Sequence, residues 1–555
     1  MATATRRLKH WGWGYEDQQP SHEQAEGIAR AITERLGFEV DRVEEPVPLE
    51  QVEVPDPRLK APRALAGLFS DDRYDRVAHT LGKAYRDVVR GFRGEFANPP
   101  DLVAYPEAPE DVEAVLSFCA DAGAAVIPFG GGTSVVGGVE PRIREDYPAV
   151  VTLDLRRMSR VLEVDAVSKA ARVQAGATGP VLEEQLREHG LTLRHFPQSF
   201  EYSTLGGWIA TRAGGHFATL YTHIDDLVES VRAVTPAGEW ESRRLPGSGA
   251  GPSPDRILIG SEGILGLIVD AWVRVRERPT EKVSCGVAFD EFAAGAEAVR
   301  ELAQSGLNPS NCRLLDAAES ETSSAGPPGS AVLVLGFESA HHPVEDRIAL
   351  GLDVCRNHGG EPGEVKRSGT PPPGPEARRE APALAAPGED PVNAWRHAFL
   401  FAPYLRDSLV ACGILSDTFE TAITWDRFPD FHAEVIETAR RAVAEATGAP
   451  WGGHGSPRIS CRFTHVYPDG PAPYYTVLAP ARRGEEVAQW DEIKAAVSDA
   501  VIDAGGTITH HHAVGRDHRT WYDRQRPEAF ASALRAVKRE LDPSSLLNPG
   551  VLIDP

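Results

Sequence analysis

The residues best suited to hold a phosphorylated ligand and move a proton fall in a few short stretches. Pro128–Gly138 reads PFGGGTSVVGG. Its consecutive glycines Gly130, Gly131 and Gly132 let backbone N–H groups converge with no Cβ in the way. Thr133 and Ser134 add two hydroxyl donors, a combination that suits a pyrophosphate. The lysine of a P-loop and the GxGxxG spacing with a helix directly behind it are absent; a plain glycine-rich hairpin turn reads the same way. Two more glycine turns follow, Gly206–Gly207 within HFPQSFEYSTLGGWIATRAGG (His195–Gly215) and Gly260–Gly266 within ILIGSEGILG. Three such turns in one strand-rich region can line a long groove for a dinucleotide. Farther on, THHHAVG sets His510, His511 and His512 side by side. Imidazoles titrate near neutral pH and suit proton transfer. The run has the composition of a metal tract. On a strand, however, alternate side chains point oppositely, so His511 is expected to face away from its neighbours and no metal is expected. Tyr474 beside Tyr475, and Arg406 beside Asp407, complete the set, although strand aromatics and a surface helix pair also account for them.

The elements that must position these residues come from a chain of 555 residues, too long for one core, so two or three units are expected. Hydrophobic content of 41% and charged content of 25% are those of a soluble globular protein. The net charge of −23 argues against nucleic acid or an anionic membrane as partner. Six scattered cysteines without a CxxC pair read as reduced thiols of a cytoplasmic protein. No apolar run approaches a membrane span, MATATRRLKHWGWGYEDQ lacks a signal-peptide core, and LIDP is no peroxisomal tripeptide.

Apolar spacing predicts helices over His22–Leu36, Tyr74–Phe92, Pro106–Gly123, Val181–His189, Phe289–Gly306, Phe431–Thr447, Glu486–Ala504 and Pro527–Leu541. Strands are expected at Ala124–Phe129, Ala149–Leu153, Val161–Asp165, Ala171–Ala175, Leu267–Arg276, Val332–Glu338, Cys461–His465 and Tyr474–Leu478. Asp226–Glu241 reads as a strand pair around Pro236–Gly238. Ala317–Gly329 (AAESETSSAGPPG) and Gly359–Pro391 are low in complexity and read as mobile loops.

With these pieces in order, Pro99 to Arg276 resembles the FAD-binding domain of the vanillyl-alcohol-oxidase superfamily. The series KHWGWGY (Lys9–Tyr15), TRAGG (Thr211–Gly215), CRLLD (Cys312–Asp316), YLRD with TFETAITWDR (Tyr404–Arg427), CRFTHVY (Cys461–Tyr467) and THHHAVG (Thr509–Gly515) resembles the alkyldihydroxyacetonephosphate synthases, which make the ether bond of ether lipids. The resemblance implies an α+β fold: a two-subdomain FAD-binding domain, an α+β cap over the substrate, and a C-terminal segment returning to the flavin. The boundaries expected are a helical lead-in to residue 95, the FAD domain over 96–278, the cap over 279–515 and the returning segment over 516–555.

It further implies non-covalent FAD, since Thr133 stands where covalent members carry histidine. Pro128, Phe129, Gly130, Gly131, Gly132, Thr133 and Ser134 would hold the diphosphate. Gln198, Ser199, Tyr202, Ser203 and Thr204, then Thr211, Arg212, Ala213 and Gly214, and then Glu262, Gly263, Ile264, Leu265, Gly266, Leu267 and Ile268 would line the rest of the flavin site. Arg406 matches the substrate-binding arginine, and a guanidinium fork suits a phosphate. Tyr474 matches the catalytic tyrosine; His510, His511, His512 and Arg313 match residues needed for activity. The family exchanges the acyl group of an acyl dihydroxyacetone phosphate for a fatty alcohol through an adduct at flavin N5, without net oxidation. An FAD-dependent D-2-hydroxy acid dehydrogenase or oxidase is the alternative on the same fold. A small phosphorylated or carboxylated substrate is expected, and a fatty alcohol and a homodimer are compatible with the resemblance. In animal members a hydrophobic stretch follows RLxD; here Ala317–Gly329 is short and polar, which bears on the lipid chain and membrane docking.

Overall fold

The computed structural model describes residues 7–143, 145–217, 219, 223–367 and 391–554. They form two compact units, one of Val47–Gly215, His223–Arg278 and His511–Pro555, the other of Met1–Pro46, His216–Thr222 and Pro279–His510. The division runs through the expected lead-in at Pro46 and falls between His510 and His511.

The first unit holds all three glycine turns and two sheets. One sheet has the order Phe69–Ser70, Leu102–Ala104, Val150–Asp154, Ala125–Phe129, the last three parallel. Parallel strands are covered on both faces, which is why AVIPF and VVTLD are nearly unbroken apolar runs. Helix Pro109–Ala122 covers them with Val112, Val115, Leu116 and Cys119; Pro109 opens it and Gly123, at φ 63°, closes it. The second sheet is antiparallel: Val161–Asp165, Ala170–Gln174, Leu267–Arg274, Val228–Thr235, Gly238–Glu241. Two sheets make the two subdomains the resemblance implied. The helix expected over Tyr74–Phe92 is two, Arg73–Ala78 and Tyr85–Phe92. The break between them lets Lys83 N–H donate to the Ser134 carbonyl at 2.6 Å, beside the first glycine turn.

The C-terminal segment closes this unit on itself. After helix Glu528–Leu541 the chain runs parallel to Ala125–Phe129, with Val126 N–H donating to the Leu546 carbonyl and Asn548 N–H to the Val126 carbonyl, both at 2.8 Å. Beneath it lies a buried ammonium. Lys538 Nζ donates to the carbonyls of Ile264 (2.8 Å) and Leu547 (2.7 Å) and to Asp542 Oδ2 (2.5 Å). Asp542 in turn accepts the N–H groups of Leu546 and Leu547 at 3.0 and 2.8 Å.

The second unit is built on an antiparallel sheet in the order Glu361–Pro362, Glu281–Phe289, Ala331–Ser339, Asn311–Leu315, Arg458–Val466, Pro471–Pro480, Ile414–Glu420, with Lys366–Arg367 also pairing Glu281–Phe289. Period-two alternation divides Tyr474 from Tyr475. Tyr475 stacks on Phe419 (4.7 Å) and His432 (5.7 Å) against helix Phe428–Thr447; Tyr474 lies on the opposite face with Arg462 and Glu420, its cross-strand partners. Helix His22–Leu36 belongs here, packing Ile28, Ile32 and Leu36 with Leu409, Ile414 and Leu478.

Ala317–Gly329 corrects the sequence reading. Ala317–Ser323 is a helix, capped by Asp316 Oδ1 accepting Glu319 N–H at 2.7 Å, with Glu319, Ser320 and Ser323 buried. Its polarity serves interior partners: Glu319 Oε1 accepts from Arg462 Nη1 at 2.5 Å. Of Gly359–Pro391, residues 368–390 lie outside the described residues, and residues 359–367 contribute the two short edge strands. Among the described residues no helix is long and apolar enough to cross a membrane.

A buried lysine that saturates its three donors is costly to remove. Lys538→Met should lower the unfolding midpoint of the glycine-turn unit, at a cost of about 3 kcal/mol because Asp542 keeps its buried charge. Thermal and urea melts followed by circular dichroism and flavin fluorescence measure it.

Candidate active site

In the glycine-turn unit the separate stretches meet at close range. Gly131 is pressed on Tyr202, where a Cβ would lie 2.1 Å from the carbonyl oxygen. Gly263, at φ 76°, packs on Pro128, where a Cβ would lie 2.6 Å from Cγ. Thr204 caps helix Leu205–Thr211, accepting Gly207 N–H at 3.4 Å. Ser199 presents its carbonyl to the N–H groups of Tyr202 and Ser203 and to Ser203 Oγ, each at 2.9 Å. Gln198 precedes this turn at its start. The same helix receives the third turn at its other end, with Glu262 N–H donating to the Ala210 carbonyl at 2.9 Å. Thr211 Oγ1 donates back to Gly207, and Arg212, at φ 52°, ends the helix and pairs with Asp225 at 2.8 Å. Ala213 N–H donates to Trp208 (2.9 Å), and Gly214 bridges to His223. Ile264, Leu265, Leu267 and Ile268 are buried, and Gly266 leads into strand Leu267–Arg274.

The site fits a dinucleotide diphosphate. Among the described residues no acceptor takes the N–H groups of Gly130, Gly131, Gly132 or Thr133, so one short loop offers four donors to an anion. Ser134 is committed within the turn, its Oγ accepting Gly138 N–H at 3.0 Å and Val136 N–H at 3.4 Å, and keeps only its O–H to give. Glu262 also serves the protein. Its carboxylate, 8% exposed, accepts Val514 N–H (2.9 Å) and Gly515 N–H (2.8 Å), and burial pushes it up to about 7 against these bonds.

In the large-sheet unit a row of register partners, polar on three of its strands, crosses four strands. Leu315, Arg462, Tyr474 and Glu420 are successive register partners. Arg462 lies 3.9 Å over the Tyr474 ring, and Tyr474 Oη donates to Thr418 Oγ1 at 3.0 Å. Glu420, 4% exposed, accepts Thr509 Oγ1–H (2.5 Å) and His510 N–H (2.8 Å). The far side of the His510 ring meets Tyr467, Nε2 to Oη at 2.7 Å. Arg313 is fully buried and donates through Nη2 to the His216 carbonyl at 2.8 Å; burial and then the charge of Arg462 lower it to about 9.

Arg406 is half-buried near the end of helix Pro391–Ala411. Asp407 beside it is no surface partner. Its carboxylate, 2% exposed, takes Lys9 Nζ at 3.0 Å and Trp13 N–H at 3.0 and 3.1 Å, so KHWGWGY is the clasp of the Arg406 helix. Sequence reasoning allowed Asp407 as a surface partner of Arg406 and missed Arg462 and Glu420, although each lies inside a motif it had singled out.

The histidine run departs from expectation. It is a series of bends, not a strand, and Ala513 has φ 72°. Alternation therefore does not apply, and His511 and His512 pack ring to ring at 4.6 Å.

An FAD binding domain model matches residues 100–242, and the C-terminal domain of FAD linked oxidases matches 278–552. The alkyldihydroxyacetonephosphate synthase of Dictyostelium discoideum is 32% identical over 488 residues, covering 87% of this chain and 78% of that protein. This chain belongs to the alkyldihydroxyacetonephosphate synthase family. The Trypanosoma brucei brucei synthase is 30% identical over the same shares of the two chains. A solved structure of an alkyldihydroxyacetonephosphate synthase matches with TM-score 0.78 at 26% identity, covering 98% of both chains. The cofactor of the family, and of this chain, is FAD.

Two outcomes follow for the cofactor. With threonine at 133, acid precipitation should leave yellow flavin in the supernatant. Gly131→Ala should weaken FAD binding at least tenfold, about 1.4 kcal/mol, because its methyl displaces the Tyr202 backbone; flavin absorbance after gel filtration reads this.

Proposed function

We propose that this protein exchanges the acyl group of an acyl dihydroxyacetone phosphate for a fatty alcohol, without net oxidation. The observation that carries the reading is Glu420, which faces Tyr474 across the sheet and fixes Thr509 and His510 through their donors. One carboxylate thus links the tyrosine and the first histidine of the motifs shared with the family.

FAD, when bound, supplies an electron-accepting ring. The protein's own groups must then hold the anionic end of the substrate and handle the C1 proton. Arg406 presents a guanidinium to the phosphate, a bidentate match that lysine lacks. Tyr474 Oη, oriented by Thr418, and the imidazoles of His510, His511 and His512 carry the proton. His510 Nε2 shares a hydrogen with Tyr467 Oη, which orients the ring. Arg313, still cationic at neutral pH, adds positive charge beside Arg462. A cytoplasmic location belongs to the same proposal, supported by six free, buried cysteines, and so do a fatty alcohol as the second substrate and a homodimeric assembly.

The test is solvent-deuterium incorporation at C1 of an acyl dihydroxyacetone phosphate, followed by mass spectrometry with no electron acceptor present. Tyr474→Phe and His512→Ala should each slow it about a hundredfold, the scale of general acid–base assistance. Absence of exchange together with dye reduction by D-lactate or D-glycolate would overturn the transferase reading in favour of a D-2-hydroxy acid dehydrogenase. Arg406→Lys should weaken substrate binding by about 1–3 kcal/mol with FAD content unchanged, as titration calorimetry with the phosphate substrate would measure.

A further inference from the structure

The segment that follows His511 and His512 presents four consecutive N–H groups to the two turns that bracket the flavin site. Val514 and Gly515 donate to the two oxygens of Glu262 at 2.9 and 2.8 Å. Arg516 and Asp517 donate to the carbonyl of Val136, in the first glycine turn, at 2.9 and 3.0 Å. His518 N–H closes the bend onto the Val514 carbonyl at 3.0 Å. A run of such amides is a ready-made nest for an anion, and the anion here is a side chain of the protein. Asn548 ties the two turns to each other from behind, its amide donating to the carbonyls of Gly138 (3.1 Å) and Glu262 (2.8 Å).

We propose that Glu262 is a positioning residue for the histidine segment: its carboxylate, bound in the 514–515 nest, latches His511 and His512 onto the flavin turns. This rests on the reading of those histidines as proton carriers and reassigns Glu262 from flavin contact to latch. Because the latch joins the GSEG turn to the histidine segment, a flavin that orders the turn also orders the histidines. The charged or titratable groups facing Glu262 are Arg516 and Tyr522, both from the C-terminal segment. On the glycine turn beside it, a Cβ at Gly138 would lie near both Ser134 Oγ and Glu262 Oε2.

The sign of the pH dependence is fixed. Burial outweighs the amide bonds and the charge of Arg516, raising Glu262 from 4.5 to about 7 in the closed latch. An open latch exposes the carboxyl and returns it toward its ordinary value. The closed form therefore takes up a proton that the open form releases, and closure weakens as pH rises through the interval from 4.5 to 7, then levels off.

Amide hydrogen–deuterium exchange of the FAD-loaded enzyme, read by mass spectrometry on peptides covering residues 511–518 and corrected for intrinsic rates, tests this. Glu262→Ala should speed exchange there about tenfold or more while leaving exchange in helix Glu528–Leu541 unchanged. Glu262→Gln, which keeps the shape and one of the two acceptors, should restore part of the protection and abolish its pH dependence between 4.5 and 7. Unchanged exchange in the alanine variant, or a wild-type pH dependence in the glutamine variant, overturns the latch. So does loss of FAD from the alanine variant with residues 511–518 still protected, which would make Glu262 a flavin contact. The readout needs no substrate: a protein that shows the latch but no C1 exchange would fail as a transferase while the latch stands.

Discussion

Loops that must meet a ligand closely give up the backbone partners that helices and sheets supply, and each buried N–H or C=O left unmatched costs about 1–3 kcal/mol. This protein meets that constraint with buried ions. The Lys538 ammonium gathers the Ile264 and Leu547 carbonyls, the Glu262 carboxylate the amides of Val514 and Gly515, the Glu420 carboxylate the Thr509 hydroxyl and the His510 amide, and the Asp407 carboxylate the amide of Trp13. In each case one ion ties an irregular segment to another part of its own unit. The full charge makes each bond stronger than a neutral one, and the low dielectric makes each expensive to break.

The same constraint explains what the sequence revealed and what it withheld. Element positions were legible because apolar periodicity is local: Val161–Asp165 and His22–Leu36 occur with the bounds read from spacing alone. The three glycine turns were legible as ligand-facing loops because missing side chains are visible in a sequence. Their mutual packing was not, since nothing in Gly131 or Gly263 says that the neighbour will be Tyr202 or Pro128. The ion clasps were hidden for a related reason. Glu262 and Val514 are far apart along the chain, as are Lys9 and Asp407, and a charged residue reads as solvated until its partner is known.

Two misreadings have the same origin. Ala317–Gly329 was judged on composition, and polar composition predicts a solvated loop. Its carboxylate is in fact the counter-ion of Arg462, so the polarity of the segment is turned inward. The histidine run was judged on strand alternation, a rule that fails wherever backbone groups are claimed by side chains. Glu420 takes the amide of His510 and Glu262 those of Val514 and Gly515, so side chains and not a neighbouring strand claim these amides.

Glu420 and Arg462 also set Tyr474 apart from its neighbour Tyr475. Tyr475 is fully buried and its hydroxyl lies 3.1 Å from His432 Nδ1 under helix Phe428–Thr447, where burial pushes its phenol well above its ordinary value. Tyr474, one residue away, looks out on the face where charges of both signs are in register. The net charge of −23 does not set the potential at that face, because at physiological ionic strength a charge is screened within about 8 Å. The charge that acts on this face is local. Burial and then Arg462 lower Arg313 to about 9, so it stays cationic at neutral pH beside a second guanidinium.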